Sequence, residues 1–180
     1  MRVLVLIGVI LALLIGGDAL AQEPTPAPPG TEVTLDPGKV TVKVAKVESA
    51  ADPAELMTVD PDEVKPGDGA IRVTLVLRND EAEMFEPSGA LGVRIVDGAG
   101  KERDPSPQMC GSDETTWLRA GNVRPGRSAT VTFCFLAPVD DIPGSFLEVR
   151  WAKGFGEYLP ISLEQPDATP VASPGSTPQA

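Results

Sequence analysis

The sequence predicts an all-β fold, a sandwich of two antiparallel sheets built from about seven strands. Apolar and polar residues alternate with a period of two in several short segments, which is typical of half-buried strands. Turn sequences rich in proline and glycine separate these segments. After the apolar N-terminal run, no stretch keeps the 3.6-residue apolar period of an amphipathic helix. Short strands joined by turns favour a two-sheet sandwich.

The predicted strands differ in how clearly they alternate. Val47 breaks the alternation of the first strand and indicates a bulge or the strand end. A weaker strand is predicted at 56–59, although 52–57 could instead form one helical turn. The last strand, 158–163, contains Pro160, which is compatible with the edge of a sheet but not with its centre. The segments with the clearest alternation are 40–45, 71–78, 91–96, 130–135 and 147–151.

The first 21 residues have the layout of a secretory signal peptide. Arg2 is basic, 3–17 is an unbroken apolar run, and Ala19-Leu20-Ala21 supplies a small-x-small cleavage signal. The apolar run is shorter than the roughly 20 residues of a membrane-spanning helix. We therefore expect a secreted or extracytoplasmic protein, cleaved after Ala21 and left without a transmembrane segment. A retained membrane anchor is the alternative, whereas a lipoprotein lacks its acceptor because no cysteine directly follows the apolar run.

The remaining chain divides into one domain and two flanking segments. Residues 22–37 are predicted to be a Pro-rich spacer, and 165–180 a Pro/Ser/Thr-rich tail. Both have the composition of disordered segments, with no apolar period that could build a core. Residues 38–164 are predicted to form the β-sandwich domain, since this length suffices for one hydrophobic core.

Composition excludes several classes of function. The formal net charge is −11, and removal of the signal peptide leaves it unchanged because one Arg and one Asp are lost together. Such an acidic surface repels phosphate backbones and anionic lipids, so we expect no nucleic-acid partner. The chain has no histidine. Ser-His-Asp and Cys-His catalysis are therefore excluded, as are zinc and copper sites that depend on histidine.

The two cysteines, Cys110 and Cys134, are predicted to form a disulfide, because the compartment is oxidising and both lie in one small domain. On the chain-entropy account, such a loop contributes about 3 kcal/mol. Two free thiols are the alternative. If Val131, Phe133 and Phe135 face the core, Cys134 faces outward on the same strand. The disulfide would then hold the long polar loop around 104–118 across the outside of a sheet.

Three stretches carry a resemblance to a known family. They are VTLVLRNDEAEMFEPSG at 73–89, LGVRIVDGAGKERD at 91–104 and VRPGRSATVTFCF at 123–135. Their order resembles the telokin-like domains of unknown function in secreted bacterial proteins. It is also similar to the immunoprotective extracellular antigens of mycobacteria. The resemblance covers about 38–163 and implies an immunoglobulin-like β-sandwich that is exported and has no assigned activity.

The candidate sites for chemistry are weak. The adjacent pairs Asp113-Glu114 and Asp140-Asp141 are interpreted as solvated rather than catalytic, since neighbouring residues of a strand point to opposite faces. Residues 97–100 are interpreted as a hairpin turn rather than a calcium loop. The acidic loop 60–68 has oxygen ligands but nothing that fixes their geometry. The three methionines outside the signal peptide are interpreted as core fillers rather than copper ligands. We predict no cofactor and no metal.

Two aromatic residues are the candidate binding residues. Trp117 lies in the loop 104–118, and Phe155 lies between two glycines in a predicted hairpin tip at 153–156. Loops on a rigid scaffold commonly carry recognition. The alternative is that both rings pack onto their own loops, or that the loop 104–118 is a stapled insertion with a structural role.

The sequence as a whole favours a non-enzymatic binding or interaction module of the bacterial cell exterior. Its partner would be an extracellular protein or an envelope glycan. A carbohydrate-binding module for envelope polysaccharide is the alternative function, although it needs coplanar exposed aromatics and the chain has eight aromatics in all. A purely structural envelope protein that self-associates through strand edges is a further possibility. An enzyme would need a site that the sequence does not display.

Overall fold

The structure, a computed structural model, describes residues 25–35, 39–58, 60, 62–106, 110, 115–152 and 156–164. The predicted signal peptide 1–21, the tail 165–180 and Phe155 lie outside the described residues. Within the described residues, no helix is both long enough and apolar enough to cross a membrane.

Eight strands form two antiparallel sheets of four strands each. Sheet I has the order β1-β2-β3-β6, and sheet II has the order β5-β4-β7-β8. The predicted two-sheet antiparallel sandwich is therefore confirmed. The strands are β1 Glu32–Leu35, β2 Val40–Ala50, β3 Asp68–Asn79, β4 Leu91–Val96, β5 Glu102–Arg103, β6 Ser128–Pro138, β7 Phe146–Trp151 and β8 Leu159–Ser162.

Helical structure among the described residues is limited to three short segments. Helix α1 spans Pro87–Ala90, and 3-10 turns span Pro53–Glu55 and Val139–Asp141. The turn at Pro53–Glu55 confirms the predicted helical turn at 52–57. No strand forms among the described residues of 56–59, so the weaker strand prediction there is wrong. Met57 makes only an isolated bridge, to Cys110, because the helical turn has already redirected the chain.

The core lies between the two sheets and follows the predicted alternation. On β3 the inward side chains are the buried residues Ile71, Val73, Leu75 and Leu77. On β4 and β7 the same alternation buries every second residue, and on β6 it buries Val131, Phe133 and Phe135. The period of two thus places one apolar face of each sheet against the other. The buried residues of β4 and β7 are Leu91, Val93, Ile95, Leu147, Val149 and Trp151.

The predicted irregularity in the first long strand is a β-bulge. The register of β2 against β3 shifts between Val44 and Lys46. The residues before the shift alternate with Val44 inward, and Val47 is partly buried after it. The extra residue, Ala45, lets both ends of the strand keep their apolar side chains toward the core.

The ordered fold begins earlier than the sequence predicts. The stretch predicted as a Pro-rich spacer, 22–37, contains β1, which pairs with β2 from Glu32↔Lys43 to Leu35↔Val40. Ala27 also forms a parallel bridge with Ile161 on β8. Four residues give too short an alternation to distinguish a strand from a proline-rich neighbourhood, so pairing with β2 decides the conformation.

The predicted disulfide Cys110–Cys134 is confirmed, with Cα atoms 5.7 Å apart. Cys134 lies on the outward face of β6 and is nevertheless fully buried. Met57, Ala70 and Cys110 form a small second apolar cluster with it, outside sheet I. The disulfide therefore fixes the chain near Cys110 across the outer face of this sheet, as the alternation on β6 predicts.

We call the loop 104–118 the strap, and its described residues on both sides of Cys110 also bond to the free edge of β6. The amide of Ser106 donates to the carbonyl of Cys134 at 2.7 Å, and that of Thr132 donates to the carbonyl of Thr115 at 2.6 Å. The amide of Trp117 donates back to the carbonyl of Thr132 at 3.3 Å. These bonds satisfy backbone groups that an open edge would offer to another chain.

Candidate functional site

The outer face of sheet II carries the most promising group of polar and aromatic side chains among the described residues. Register pairs Val96 with Phe146, Arg94 with Glu148 and Gly92 with Arg150 across β4 and β7. β8 continues two of these rows, because Phe146 pairs with Ser162 and Glu148 with Pro160. We call this surface, together with Tyr158 just before β8, the Arg–Tyr face.

The centre of the Arg–Tyr face is an ion-pair network. The Nε of Arg94 donates to Oε2 of Glu148 at 2.5 Å, and its Nη1 lies 2.6 Å from Oε2 of Glu102. Burial alone would lower the pKa of Arg94, but the hydrogen bond to Glu148 and the charges of both carboxylates raise it above its ordinary value. Arg94 therefore has its charge satisfied within the protein.

Arg150 has a different environment. Its guanidinium carbon lies 4.7 Å from the centre of the Tyr158 ring, and that of Arg94 lies 4.0 Å from the same centre. Arg150 makes no ion pair, whereas the other half-buried cations among the described residues, Arg72, Arg94 and Arg103, each pair with a carboxylate. Arg150 is therefore a cation held by an aromatic ring rather than by an acid.

Gly92 gives Arg150 the room it occupies. A Cβ added at Gly92 would lie 2.8 Å from Nε and 2.9 Å from Cγ of Arg150. The Arg150 side chain thus lies directly over the glycine on the neighbouring strand. The Nε is excluded from solvent and has no hydrogen-bond partner, and among the described residues neither Nη nitrogen makes a hydrogen bond or an ion pair. The open end of the fork remains free to bind an acceptor.

An open cleft adjoins the other end of the face. It has a volume of about 610 Å³ and is lined by apolar groups of Pro26, Val96, Phe146 and Pro160, with Glu102 and Glu148 beside them. Pro26 reaches this position because Ala27 pairs with the backbone of β8: its amide donates to Pro160 at 2.9 Å and its carbonyl accepts from Ser162 at 2.7 Å.

The predicted binding residue Trp117 lies elsewhere, beside the edge of β6. Its ring stacks on Phe133, with centroids 5.5 Å apart and planes inclined by 19°. The ring is half-buried against the main core, and its Nε1 is buried without a hydrogen-bond partner. The half-buried ring of Trp117 therefore attaches this end of the strap to the hydrophobic core. Its predicted contact role, like that of Phe155 outside the described residues, stays a prediction.

The described acidic residues act mainly as caps and ion-pair partners. Asp60 accepts from the amide of Asp62 at 3.0 Å, and Asp68 accepts from that of Lys65 at 2.9 Å. Asp97 closes the predicted hairpin at 97–100, where it accepts from the amides of Ala99 and Lys101 and from Arg103. Across the part of the chain that is described, no three acidic or cysteine side chains converge as metal ligands would.

Sequence reasoning did not identify Arg94, Arg150 or Gly92 as candidate site residues. The alternation does place all three on the polar side of predicted strands. It cannot show that Gly92 and Arg150 are cross-strand partners, because that depends on which strands pair and in which register. The signal was present only as a glycine at an outward position of a strand, which often marks a close approach of another group.

Solved structures with the same fold come from several bacteria. An uncharacterized β-sandwich protein from Clostridium difficile 630 superposes with a TM-score of 0.51 at 14% identity, covering 79% of this chain and 97% of that chain. The secreted protein MPT63 from Mycobacterium tuberculosis gives 0.50 at 16% identity, covering 79% and 99%. The YjhA protein from Bacillus subtilis gives 0.51 at 16% identity, covering 68% and 80%.

No family model and no curated relative matches this chain. At these identities the structural likeness establishes the fold alone. The predicted resemblance is confirmed at that level: the chain has the β-sandwich fold shared by a group of uncharacterized bacterial proteins that includes a secreted mycobacterial protein.

Proposed function

We propose that this protein is an exported, non-catalytic binding module of the bacterial cell exterior, and that its contact surface is the Arg–Tyr face. The observation that carries the proposal is Arg150, a half-buried guanidinium held over Gly92 by Tyr158 without a carboxylate partner. In a chain of net charge −11, an unpaired and positioned arginine is a group suited to a partner, since arginine is enriched at the centres of protein interfaces.

The outer face of sheet I offers a contrast that supports this choice. There Arg72 pairs with Glu48 at 2.8 Å, and Arg78 pairs with Asp80 at 2.8 Å. The part of this face near Cys134 is covered by the second apolar cluster and the strap. The half-buried Arg72 is thus paired with a carboxylate of the protein itself, and it is less available to a partner than Arg150.

Site-specific photo-crosslinking in the producing cells tests the proposal. p-Benzoylphenylalanine replaces Val96 on the Arg–Tyr face in one strain and Lys43, exposed on the outer face of sheet I, in another. We expect a discrete cross-linked species from position 96 and none from position 43. The same products from both positions, or none from position 96, would count against this surface.

A carbohydrate-binding module remains the second candidate because of the cleft. Phe146 offers an aromatic surface there, and Glu102 and Glu148 offer hydrogen-bond acceptors for hydroxyl groups. Co-sedimentation with purified cell-wall polysaccharide tests it, with Phe146→Ala against the control Lys43→Ala. Binding that is lost only in Phe146→Ala would favour the glycan, and no co-sedimentation of the unmodified protein would exclude it.

A further inference from the structure

The Arg–Tyr face has the chemistry of a site for a carboxylate. Two properties of Arg150 support this. Its side chain packs over Gly92 and against the ring of Tyr158, and its Nη nitrogens have no acceptor among the described residues. Carboxylates bind the planar fork of an arginine through two parallel hydrogen bonds. Because the guanidinium is already positioned, less side-chain entropy is lost when the ligand binds.

Phosphate would fit the same fork less well. A phosphate monoester carries a charge of about −1.5 to −2 at neutral pH. It would approach a protein of net charge −11, with Glu148 two residues away on the same strand face. A carboxylate carries a single charge and meets less repulsion. The local charge therefore favours a carboxylate over a phosphate.

The cleft lies along the same face at a defined distance. Val96 and Phe146 form the row beside the cleft, and Gly92 and Arg150 form the row four residues further along both strands. At about 3.3 Å per residue, the two rows are roughly 13 Å apart. An extended peptide has the same rise, so its residues i and i+4 point to one side with the same separation.

We propose, on the basis of the binding function proposed above, that the ligand is an extended segment of a partner protein carrying an apolar residue and, four positions later, an acidic residue. The apolar side chain occupies the cleft and the carboxylate binds Arg150. The ion pairs of Arg94 occupy the middle of the face and meet a polar side chain at position i+2. A macromolecular ligand is favoured because the face is open, and a small molecule bound there would stay largely exposed.

The test uses two pentapeptides, acetylated and amidated so that only side chains carry charge. One has the sequence LTSTD and the other LTSTN, which replaces the carboxylate by an amide of similar size. Nitrogen-15 NMR of the mature protein follows the side-chain Nε–H signal of Arg150 and the backbone amide of Phe146 during titration. We expect saturable shifts at both positions with LTSTD and at least tenfold weaker binding of LTSTN, since hydrogen bonds to an ionised carboxylate are stronger than those to a neutral amide.

Variants separate the effect of a positioned guanidinium at Arg150 from the effect of a positive charge anywhere on the surface. Arg150→Ala should abolish the difference between the two peptides, and Gly92→Ala should weaken binding of LTSTD because the new Cβ displaces the guanidinium. Arg127→Ala should change nothing, since Arg127 is exposed on another part of the surface and makes no ion pair among the described residues. Backbone spectra of each variant show whether the fold is retained.

Equal binding of the two peptides, or shifts at Arg127 as large as those at Arg150, would overturn the carboxylate proposal. The proposed function fails separately. If position 96 cross-links a partner in cells but LTSTD and LTSTN do not differ, the face is a contact surface whose ligand is not a carboxylate. If the peptides differ but no partner is cross-linked, the site is real and the cellular function is wrong.

Discussion

At the scale of single residues, Asn79 explains why the turn after β3 has its shape. The side chain is fully buried, and its Nδ2 donates to the carbonyls of Glu83 and Val123, both at 2.8 Å. Its Oδ1 accepts from the amide of Glu81 at 2.8 Å. One buried amide therefore joins the turn after β3 to the segment before β6 through three hydrogen bonds.

Asn79→Ala is expected to lower the free energy of unfolding by about 2–4 kcal/mol, because it removes the three hydrogen bonds of a fully buried side chain. Urea unfolding followed by circular dichroism measures the change. Asn122→Ala, at the exposed position next to Val123, is the matched control and should lie within about 0.5 kcal/mol of the unmodified protein. A loss below about 1 kcal/mol at Asn79 would contradict the role given to it here.

At the scale of elements, ion pairs and the strap add contacts between neighbouring segments to those of the hydrophobic core. Glu48 on β2 lies 2.8 Å from Nη2 of Arg72 on β3 and 2.9 Å from Lys46. Hydrogen bonds from Arg72 and Lys46 lower the pKa of Glu48 from 4.5 to about 2. At the β6 edge of the same sheet, the strap is joined to the strand by backbone hydrogen bonds and by the disulfide.

The lowered pKa of Glu48 predicts how acid affects the sheet. A depressed folded-state pKa contributes stability above the unfolded value of 4.5, and this contribution is lost as the pH falls toward 2. Since the carboxylate is one-quarter exposed, we expect only about 1 kcal/mol. Glu48→Gln should therefore destabilise the protein at pH 7 but not at pH 2. Glu55→Gln, at an exposed position, should leave the stability unchanged at both pH values. Urea midpoints at the two pH values measure this, and equal losses at both would contradict it.

Removal of the disulfide tests the role of the strap. Cys110→Ala combined with Cys134→Ala should lower the free energy of unfolding by about 3 kcal/mol and weaken the cover over the β6 edge. We expect a lower unfolding midpoint together with concentration-dependent association through that edge. Light scattering at increasing protein concentration measures the association. A double variant that is destabilised yet stays monomeric would show that the backbone bonds of the strap protect the edge without the disulfide.

At the scale of the whole molecule, the two sheets differ in what they expose. Sheet I pairs its half-buried arginine and covers part of its outer face, whereas sheet II leaves Arg150 unpaired beside an open cleft. The sandwich thus has one outer face that is partly covered and one that carries the proposed contact surface. The terminal strand β8 and the segment around Ala27 border the second face.

Alternation and turn chemistry were sufficient to predict the sandwich, the bulge near Val47, the edge position of β8 and the outward Cys134. They were insufficient for β1, where four residues follow a proline-rich stretch, and for the strand predicted at 56–59. The Arg–Tyr face was beyond sequence reasoning for a different reason. Arg94, Arg150 and Tyr158 are brought together by the register of three strands, and nothing local to any of them encodes that register.

Whether the Arg–Tyr face binds a partner through Arg150 is tested most directly by the yield of the photo-cross-linked product from position 96 in cells. It should be measured with Arg150 present and with Arg150→Ala, at equal amounts of folded protein. If Arg150 binds the partner, the yield in the variant should be at least tenfold lower. Equal yields would contradict it, because the partner would then occupy the face without using the unpaired guanidinium.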